Sequence, residues 1–272
     1  PAVTGLVGGA TFTEGDTSAS PNVTPVVIDS SVTLSDSDLA NNGADFRGGS
    51  LRLTYATGGA NVTSAFDQLA VRDGGSGAGQ IGVSGSNITY GGTVIGSIDG
   101  TENGTNGAAL KIVFDAGANP ALTIPAIKAL IEAVTFAHSE YDNAVTGTRS
   151  LNATLVDGGG SASYTDDKNV TLSGADTWSG SATVVVVAAN DRPVLTPHTG
   201  GGNLVLGTIG EDDTATPTTF QVSSFTSAVN GSADGTHTGI ADVDTGAVRG
   251  IAITSLTNAA TGHWEYSADG SS

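Results

Sequence analysis

Short runs of β-branched and other apolar residues alternate with Gly-, Ser- and Asn-rich turns along most of this 272-residue chain. In QIGVSGSNITYGGTVIGSI (residues 80–98), a Gly-Ser turn and a Gly-Gly turn separate three strand-like runs. Comparable runs cover residues 50–57, 110–116, 149–157 and 181–191. Many short strands with turn residues between them are typical of an all-β sandwich of the Greek-key type. We therefore expect that fold.

One segment departs from the strand pattern. In TIPAIKALIEAVTF (residues 123–136), apolar residues recur at i, i+3, i+4 and i+7 from Ile127, which is the spacing of an amphipathic helix. Thr123 is suited to the N-cap and Pro125 to the first turn. The segment predicts one short helix in the first domain, where it closes an open end of the sandwich.

A proline- and glycine-rich segment, NDRPVLTPHTGGG (residues 190–202), interrupts the strands. Pro193 and Pro197 cannot occupy a central strand, because proline lacks a backbone N–H donor. We therefore place a domain boundary here. We expect residues 1–191 to form one long sandwich. We expect residues 192–272 to form a second sandwich, which is incomplete because the segment is short.

The charge balance of the chain restricts its partners. It has 27 acidic and 9 basic residues, for a formal charge of −18, and it has no cysteine. Nucleic acid is an unlikely partner because phosphate binding requires clusters of Lys and Arg. Disulfides and thiolate metal sites are excluded, and no apolar run is long enough to insert into a membrane. Divalent cations would relieve the repulsion among the carboxylates.

Two parts of the chain repeat one order of acidic residues. A glutamate after a short strand-like run (Glu14, and later Glu211) precedes an Asp-x-Asp pair at residues 36–38, and again at residues 242–244. Glycine and a strand of alternating apolar residues follow each pair. Such internal repetition carries more weight than a single motif.

The repeated acids predict calcium binding. Ca²⁺ takes six to eight oxygen ligands, an Asp-x-Asp turn can direct two carboxylates to one ion, and the glutamate of the same copy can close the shell. Asn190 and Asp191 in the linker can join the second copy at the domain junction. The alternative is that these acids only occupy solvated turns, where Asp is common. The repetition and the Asn-Asp linker favour calcium.

Three segments carry a resemblance to a known family. VVVVAANDRPVL, VTLSDSDLANNGADFRGGSLRLTY and IADVDTGAVRGIAIT resemble parts of the cadherin-like repeats of very large bacterial surface adhesins, of the RTX or biofilm type. The resemblance covers most of the chain. It implies tandem cadherin- or Ig-like sandwiches that are secreted, loaded with calcium, and placed between a cell-surface anchor and a binding tip.

The resemblance also implies a location, partners and ligands. The location is extracellular, at the bacterial cell surface. The partners are neighbouring repeats of the same chain or like subunits, with cell-surface or matrix ligands as further candidates. Position by position, the family's calcium residues match Glu14, Asp36, Asp38, Asn190, Asp191, Glu211, Asp242 and Asp244.

Catalysis has little support in the sequence, and we expect no enzyme. There is no cysteine nucleophile and no G-x-S-x-G elbow with matching partners. The histidines lack metal-ligand spacing and are predicted to be solvated: His138, His198, His237 and His263. Asp73 and the acid in residues 156–163 are predicted to be turn residues. Two alternatives stay open, namely a filament or surface-layer subunit that assembles by strand addition, and an accessory module of a secreted hydrolase.

Overall fold

A computed structural model of the chain divides into two compact units, Pro1–Asp191 and Arg192–Ser272. The structure describes residues 1–15, 24–36, 46–58, 63–117, 119–140, 144–158, 164–165, 171–172, 177–195, 240–244, 246–247, 254–255 and 266. Most of the described residues belong to the first unit. Each unit is treated by itself below.

The described elements of the first unit are almost all strands. They are β1 (Ala2–Thr4), β2 (Gly8–Thr13), β3 (Val26–Val27), β4 (Thr33–Ser35), β5 (Ser50–Tyr55), β6 (Asp67–Val71), β7 (Ile81–Ser84), β8 (Asn87–Tyr90), β9 (Thr93–Asn103), β10 (Leu110–Phe114), β11 (Val134–His138), β12 (Gly147–Val156), β13 (Tyr164–Thr165), β14 (Thr171–Leu172) and β15 (Thr177–Val187). One helix, α1, spans Ile124–Ala133. In the second unit, β16 (Val194–Leu195) pairs antiparallel with β17 (Ile240–Ala241).

Two main sheets face each other in the first unit. The larger sheet has the order β2-β15-β12-β5-β10-β9-β8-β7, and the smaller has the order β3-β11-β6. Every adjacent pair in these sheets is antiparallel except β2 and β15, which run parallel. Separate two-stranded ladders join β1 to β4 and β13 to β14. The predicted all-β sandwich with one short helix is confirmed.

Alternating apolar residues form the core between the two sheets. Along a strand, successive side chains point to opposite faces, and Phe12 of β2 therefore faces the smaller sheet. Its ring meets Phe136 of β11 edge to face, with centroids 5.9 Å apart, an arrangement that aromatic pairs favour. The central strands of the larger sheet contribute buried residues at every second position: Leu51, Leu53, Leu151, Ala153, Leu155, Ala182, Val184 and Val186.

Helix α1 packs against β7, the edge strand of the larger sheet, and against β4. The Thr123 hydroxyl accepts a hydrogen bond from Ala126 N (3.3 Å), as the N-cap prediction requires. The helix is shorter than the predicted segment. Val134 is already extended, because residues 134–136 pair with β6 and β3 on both sides.

The tight turns follow the glycines. Gly91 and Gly92 join β8 to β9 with φ angles of 58° and 82°. Two consecutive positive φ angles match the type I′ hairpin turn, which glycine adopts without a steric penalty. The predicted Gly-Gly hairpin is confirmed.

The edge strand β7 is capped by a loop from its own unit. Asp73 Oδ1 accepts hydrogen bonds from Gly75 N (3.0 Å) and Val83 N (3.3 Å), and Gly74 N donates to Ile81 O (2.7 Å). These bonds engage backbone groups of β7 that β8 does not reach. Asp73 is thus a turn acid, as predicted, and it also protects a sheet edge.

A buried ion pair links the two sheets. Arg149 lies on the inward face of β12, and its Nε is 3.0 Å and 3.2 Å from the two carboxylate oxygens of Asp67 on β6. Both side chains have no exposed surface. The remaining guanidinium nitrogens donate to Gly147 O (3.2 Å) and Val145 O (2.5 Å), so that the buried charge is both paired and hydrogen-bonded.

His138 belongs to the same network. It is the cross-strand partner of Asp67, and its Nδ1 lies 2.8 Å from Asp67 Oδ1. An ionised carboxylate only accepts hydrogen bonds, so Nδ1 is the donor. The prediction that His138 is solvated is wrong, because it takes an inward position two residues after Phe136 on β11 and is buried.

We predict that Arg149→Met destabilises the first unit by about 3–5 kcal/mol, because it leaves Asp67 as an uncompensated buried charge. Urea denaturation measures this effect. Arg52→Met is the matched control: Arg52 pairs with Glu102 on the surface, and an exposed pair contributes about 0–1 kcal/mol. Similar losses in the two variants would contradict a dominant role for the buried pair.

Candidate cation-binding corners

The parallel pairing of β2 and β15 brings Glu14 close to the linker. Both strands end at the same end of the sandwich, and Glu14 N donates to Val187 O (3.2 Å). The Glu14 carboxylate accepts hydrogen bonds from Ala144 N (2.6 Å) and Ala189 N (3.2 Å). Its side chain is buried, with 3% of the residue exposed. Glu14 therefore joins the end of β2 to the segments that precede β12 and follow β15.

The linker residues Asn190 and Asp191 follow directly after this contact. Asp191 is also buried, at 2% exposure, and Asn190 Nδ2 donates to Asp191 O (2.9 Å). We call Glu14, Asn190 and Asp191 the C-terminal corner. The structure thus places two buried carboxylates at the point where the chain leaves the first unit.

A second pair of acids lies at the other end of the unit. Asp36 follows β4 and Asp157 follows β12, and the terminal ammonium of Pro1 lies 3.0 Å from Asp36 Oδ2 and 4.0 Å from Asp157 Oδ2. The two acidic side chains are 2% and 11% exposed. We call Asp36 and Asp157 the N-terminal corner.

The two corners are far apart. Strand β12 begins at Gly147, three residues after Ala144, which contacts Glu14, and it ends at Val156, next to Asp157. Nine residue steps at roughly 3.3 Å each separate its ends by about 30 Å. The structure therefore does not bring Glu14 and Asp36 together, and the predicted calcium shell of Asp36 and Asp38 stays a prediction. Glu14 instead lies at the same end of the unit as the linker residues Asn190 and Asp191.

The second unit shows the Asp-x-Asp pair in a turn. Asp244 N donates to Asp242 Oδ1 (2.9 Å), and Ala247 N donates to Asp244 O (3.2 Å). Side-chain-to-backbone bonds of this kind are typical of Asp in turns. Two of the predicted ligands, Asp38 and Glu211, lie outside the described residues.

The donor sets of both corners are compatible with calcium but incomplete. They consist of carboxylate and amide oxygens, which are the ligands that Ca²⁺ prefers. Within the part of the chain that the structure describes, no group of three or more His, Asp or Glu side chains is arranged to hold a metal ion. Calcium binding therefore remains a prediction.

Asp157 was not among the predicted ligands. Its signal in the sequence is the VDGGG segment, in which an acid directly follows a strand and precedes a glycine turn. That pattern is frequent in ordinary turns. Its proximity to Asp36 depends on strands far apart in the sequence, which no local pattern reports.

We predict that Glu14→Gln destabilises the first unit by about 1–3 kcal/mol, since an amide side chain has one acceptor oxygen and leaves a buried N–H of Ala144 or Ala189 unsatisfied. Amide hydrogen exchange should show faster exchange at one of these two positions. Glu132→Gln on α1, whose carboxylate pairs only with Lys128 among the described contacts, is the control. Unchanged protection at Ala144 and Ala189 would rule out this role for Glu14.

Among the described residues, no helix is both long and apolar enough to cross a membrane. No protein-family model matches the chain, and no curated protein matches it. The resemblance to cadherin-like adhesin repeats thus has no support beyond the quoted motifs.

Among solved structures, the chain is similar to the crystal structure of AggA, the major subunit of aggregative adherence fimbriae type I from Escherichia coli. The two share 16% sequence identity over 69% of this chain and 95% of that chain, with a TM-score of 0.25. A TM-score this low does not establish a common fold. The chain therefore has a bacterial fimbrial subunit as a distant structural neighbour.

Proposed function

We propose that this chain is a structural and adhesive module of a large bacterial surface protein, outside the cell, and that calcium stiffens the ends of its first sandwich. The observation that carries the proposal is the C-terminal corner, where Glu14 and Asp191 are buried close to the end of β15. The proposal assigns no catalytic role to the chain.

The physical argument concerns the cost of buried negative charge. Removing a carboxylate from water is unfavourable unless a positive charge or several donors compensate it. Glu14 receives two backbone N–H groups. A divalent cation shared with Asp191 would supply positive charge to both acids, and bound ions are often the largest local charges in such a site.

The chemistry of the donors favours Ca²⁺ over transition metals. All candidate ligands are hard oxygens, and thiolates are absent from the chain. At the C-terminal corner, Glu14, Asn190 and Asp191 would hold the ion. At the N-terminal corner, Asp36 and Asp157 would do so. Calcium at the C-terminal corner would order residues 189–191, through which the chain continues.

In this proposal, the partners of the chain are the modules next to it. A stiff sandwich with a calcium-ordered end would connect neighbouring repeats of one chain or like subunits. Cell-surface or matrix ligands would bind to such an array. The net charge of −18 keeps similar modules from associating non-specifically when calcium is absent.

We predict that calcium raises the melting temperature of the chain and that excess EGTA lowers it, because a ligand that binds only the folded state stabilises it by about 2.7 kcal/mol at a hundred times its Kd. Scanning calorimetry in Ca²⁺, Mg²⁺ and EGTA measures the effect. Asp191→Asn should lose most of the calcium-dependent increase, and Glu132→Gln should keep it. An equal melting temperature in calcium and in EGTA would overturn the calcium proposal.

A second candidate function is a filament or surface-layer subunit. It is favoured by the unequal edges of the larger sheet among the described strands, because Asp73 caps β7 whereas β2 lies at the opposite edge, where its described ladder partner is β15. A strand from a like subunit could add to β2. Light scattering and electron microscopy distinguish the candidates. A tether module stays monomeric with and without chelator, whereas a filament subunit forms ordered polymers that do not require calcium.

A further inference from the structure

The first and last long strands of the first unit lie side by side and parallel. The register runs from Gly8 opposite Thr183 to Thr13 opposite Val187. Two further backbone bonds extend the ladder at its ends, from Thr183 N to Val7 O (3.2 Å) and from Glu14 N to Val187 O (3.2 Å). The ladder thus connects the segment by which the chain joins the sandwich to the segment by which it leaves.

Parallel pairing determines how tension acts on these bonds. A force on Pro1 reaches the first residue of β2 through β1, which pairs with β4, and a force beyond Asp191 pulls β15 from its last residue. Because the strands run in the same direction, the two pulls slide them past each other along their common axis. The ladder bonds are then stretched together, whereas the bonds of a hairpin pulled at its open end break one after another.

Buried carboxylates hold both ends of β2. At the start of the strand, Asp29 Oδ2 accepts hydrogen bonds from Val7 N (3.1 Å) and Gly8 N (3.2 Å), and its other oxygen accepts from Ser31 N (3.0 Å). At the end of the strand, Glu14 accepts from Ala144 N and Ala189 N. Each carboxylate ties β2 to a segment outside its own ladder.

The environment of Asp29 favours its ionised form. Burial by itself raises the pKa of Asp29, but hydrogen bonds from the Val7, Ser31 and Gly8 amides and from the Ser31 hydroxyl lower it below its ordinary value. A charged acceptor makes a stronger hydrogen bond than a neutral one. The contact at the start of β2 is therefore a charge-assisted one at neutral pH.

Close approach of the two backbones at the start of β2 requires glycine. Gly8 has a φ of 71°, and a Cβ at this position would lie 2.3 Å from Thr183 O. Gly9 is the extra residue where the register shifts between Thr183 and Val184. The start of the β2–β15 ladder therefore depends on glycine at position 8, because a side chain there would collide with the backbone of β15.

We propose that β2, β15 and the carboxylates of Asp29 and Glu14 form a tensile clasp, which carries force applied between the two ends of the first sandwich. The clasp gives the proposed tether its resistance to stretching, and in that sense it rests on the proposed function. Glu14 also belongs to the C-terminal corner, whereas Asp29 and the backbone ladder belong to neither cation-binding corner, so the test below uses Asp29.

Single-molecule force spectroscopy on the full chain tests the clasp. The chain has no cysteine, so two introduced cysteines define the points of attachment. Ala2→Cys with Pro193→Cys applies force to β2 and β15 through the three-residue pairing of β1 with β4. Thr105→Cys, in the exposed turn after β9, with Pro193→Cys applies force from β15 through β12 and β5 to β10 and β9. Strand β2 lies beyond β15 at the sheet edge, outside this second path.

Asp29→Asn is the informative variant, measured along both paths in EGTA. We expect its unfolding rate at constant force to rise several-fold on the 2–193 path and to stay unchanged on the 105–193 path, since forced unfolding follows the unfolding rate along the path pulled. Asp99→Asn removes a charge from strand β9 at a carboxylate that also accepts backbone bonds, and it should leave the 2–193 path unchanged.

Two results would overturn the clasp. Equal acceleration of Asp29→Asn on both paths would mean that Asp29 contributes only to general stability. No acceleration on the 2–193 path would mean that β2 does not carry the force. Because the measurement is made without calcium, a failure of the calcium proposal leaves these outcomes unaffected, and a failure of the clasp leaves the calorimetric result in calcium unaffected.

Discussion

The ion pair of Arg149 with Asp67 fixes how the two sheets face each other. A buried guanidinium is tolerable only where its partner and its remaining donors are satisfied, and this restricts β12 to one position over β6. The same guanidinium binds the carbonyls of Val145 and Gly147. It thereby positions the segment from which Ala144 donates to Glu14. The geometry of the C-terminal corner thus depends on an ion pair in the core.

Many acids of this chain bind backbone amides instead of basic side chains. Asp29 and Glu14 hold the ends of β2, and Asp73 holds the edge strand. On the surface, Asp99 accepts bonds from Glu102 N and from the amide and hydroxyl of Thr101, which lower its pKa to about 2. Because basic residues are few, backbone N–H groups, which are the positive ends of peptide dipoles, stabilise the carboxylates instead. A strongly acidic composition is therefore compatible with a compact sandwich.

Local features of the fold were predictable, and features that depend on distant contacts were not. The Gly91-Gly92 turn and the N-cap at Thr123 follow from the conformational limits of a few adjacent residues. The helix ends where residues 134–136 pair with β3 and β6, although their apolar spacing also fits a helix. The opposite placement of Glu14 and Asp36 follows from the direction of β12. The roles of Asp67, His138 and Arg149 left one trace in the sequence, because each occupies a core-facing position among apolar residues of its strand.

The capped edge at β7 would matter most in the proposed arrangement, in which similar sandwiches follow one another on one polypeptide. Neighbours on one polypeptide are present at very high effective concentration, and their exposed strands would readily exchange partners while folding. Asp73 and its loop occupy the hydrogen-bonding groups of that edge within the same module. Each sandwich can then finish folding independently of the modules beside it. Lateral mispairing along that side is blocked by a single acidic loop.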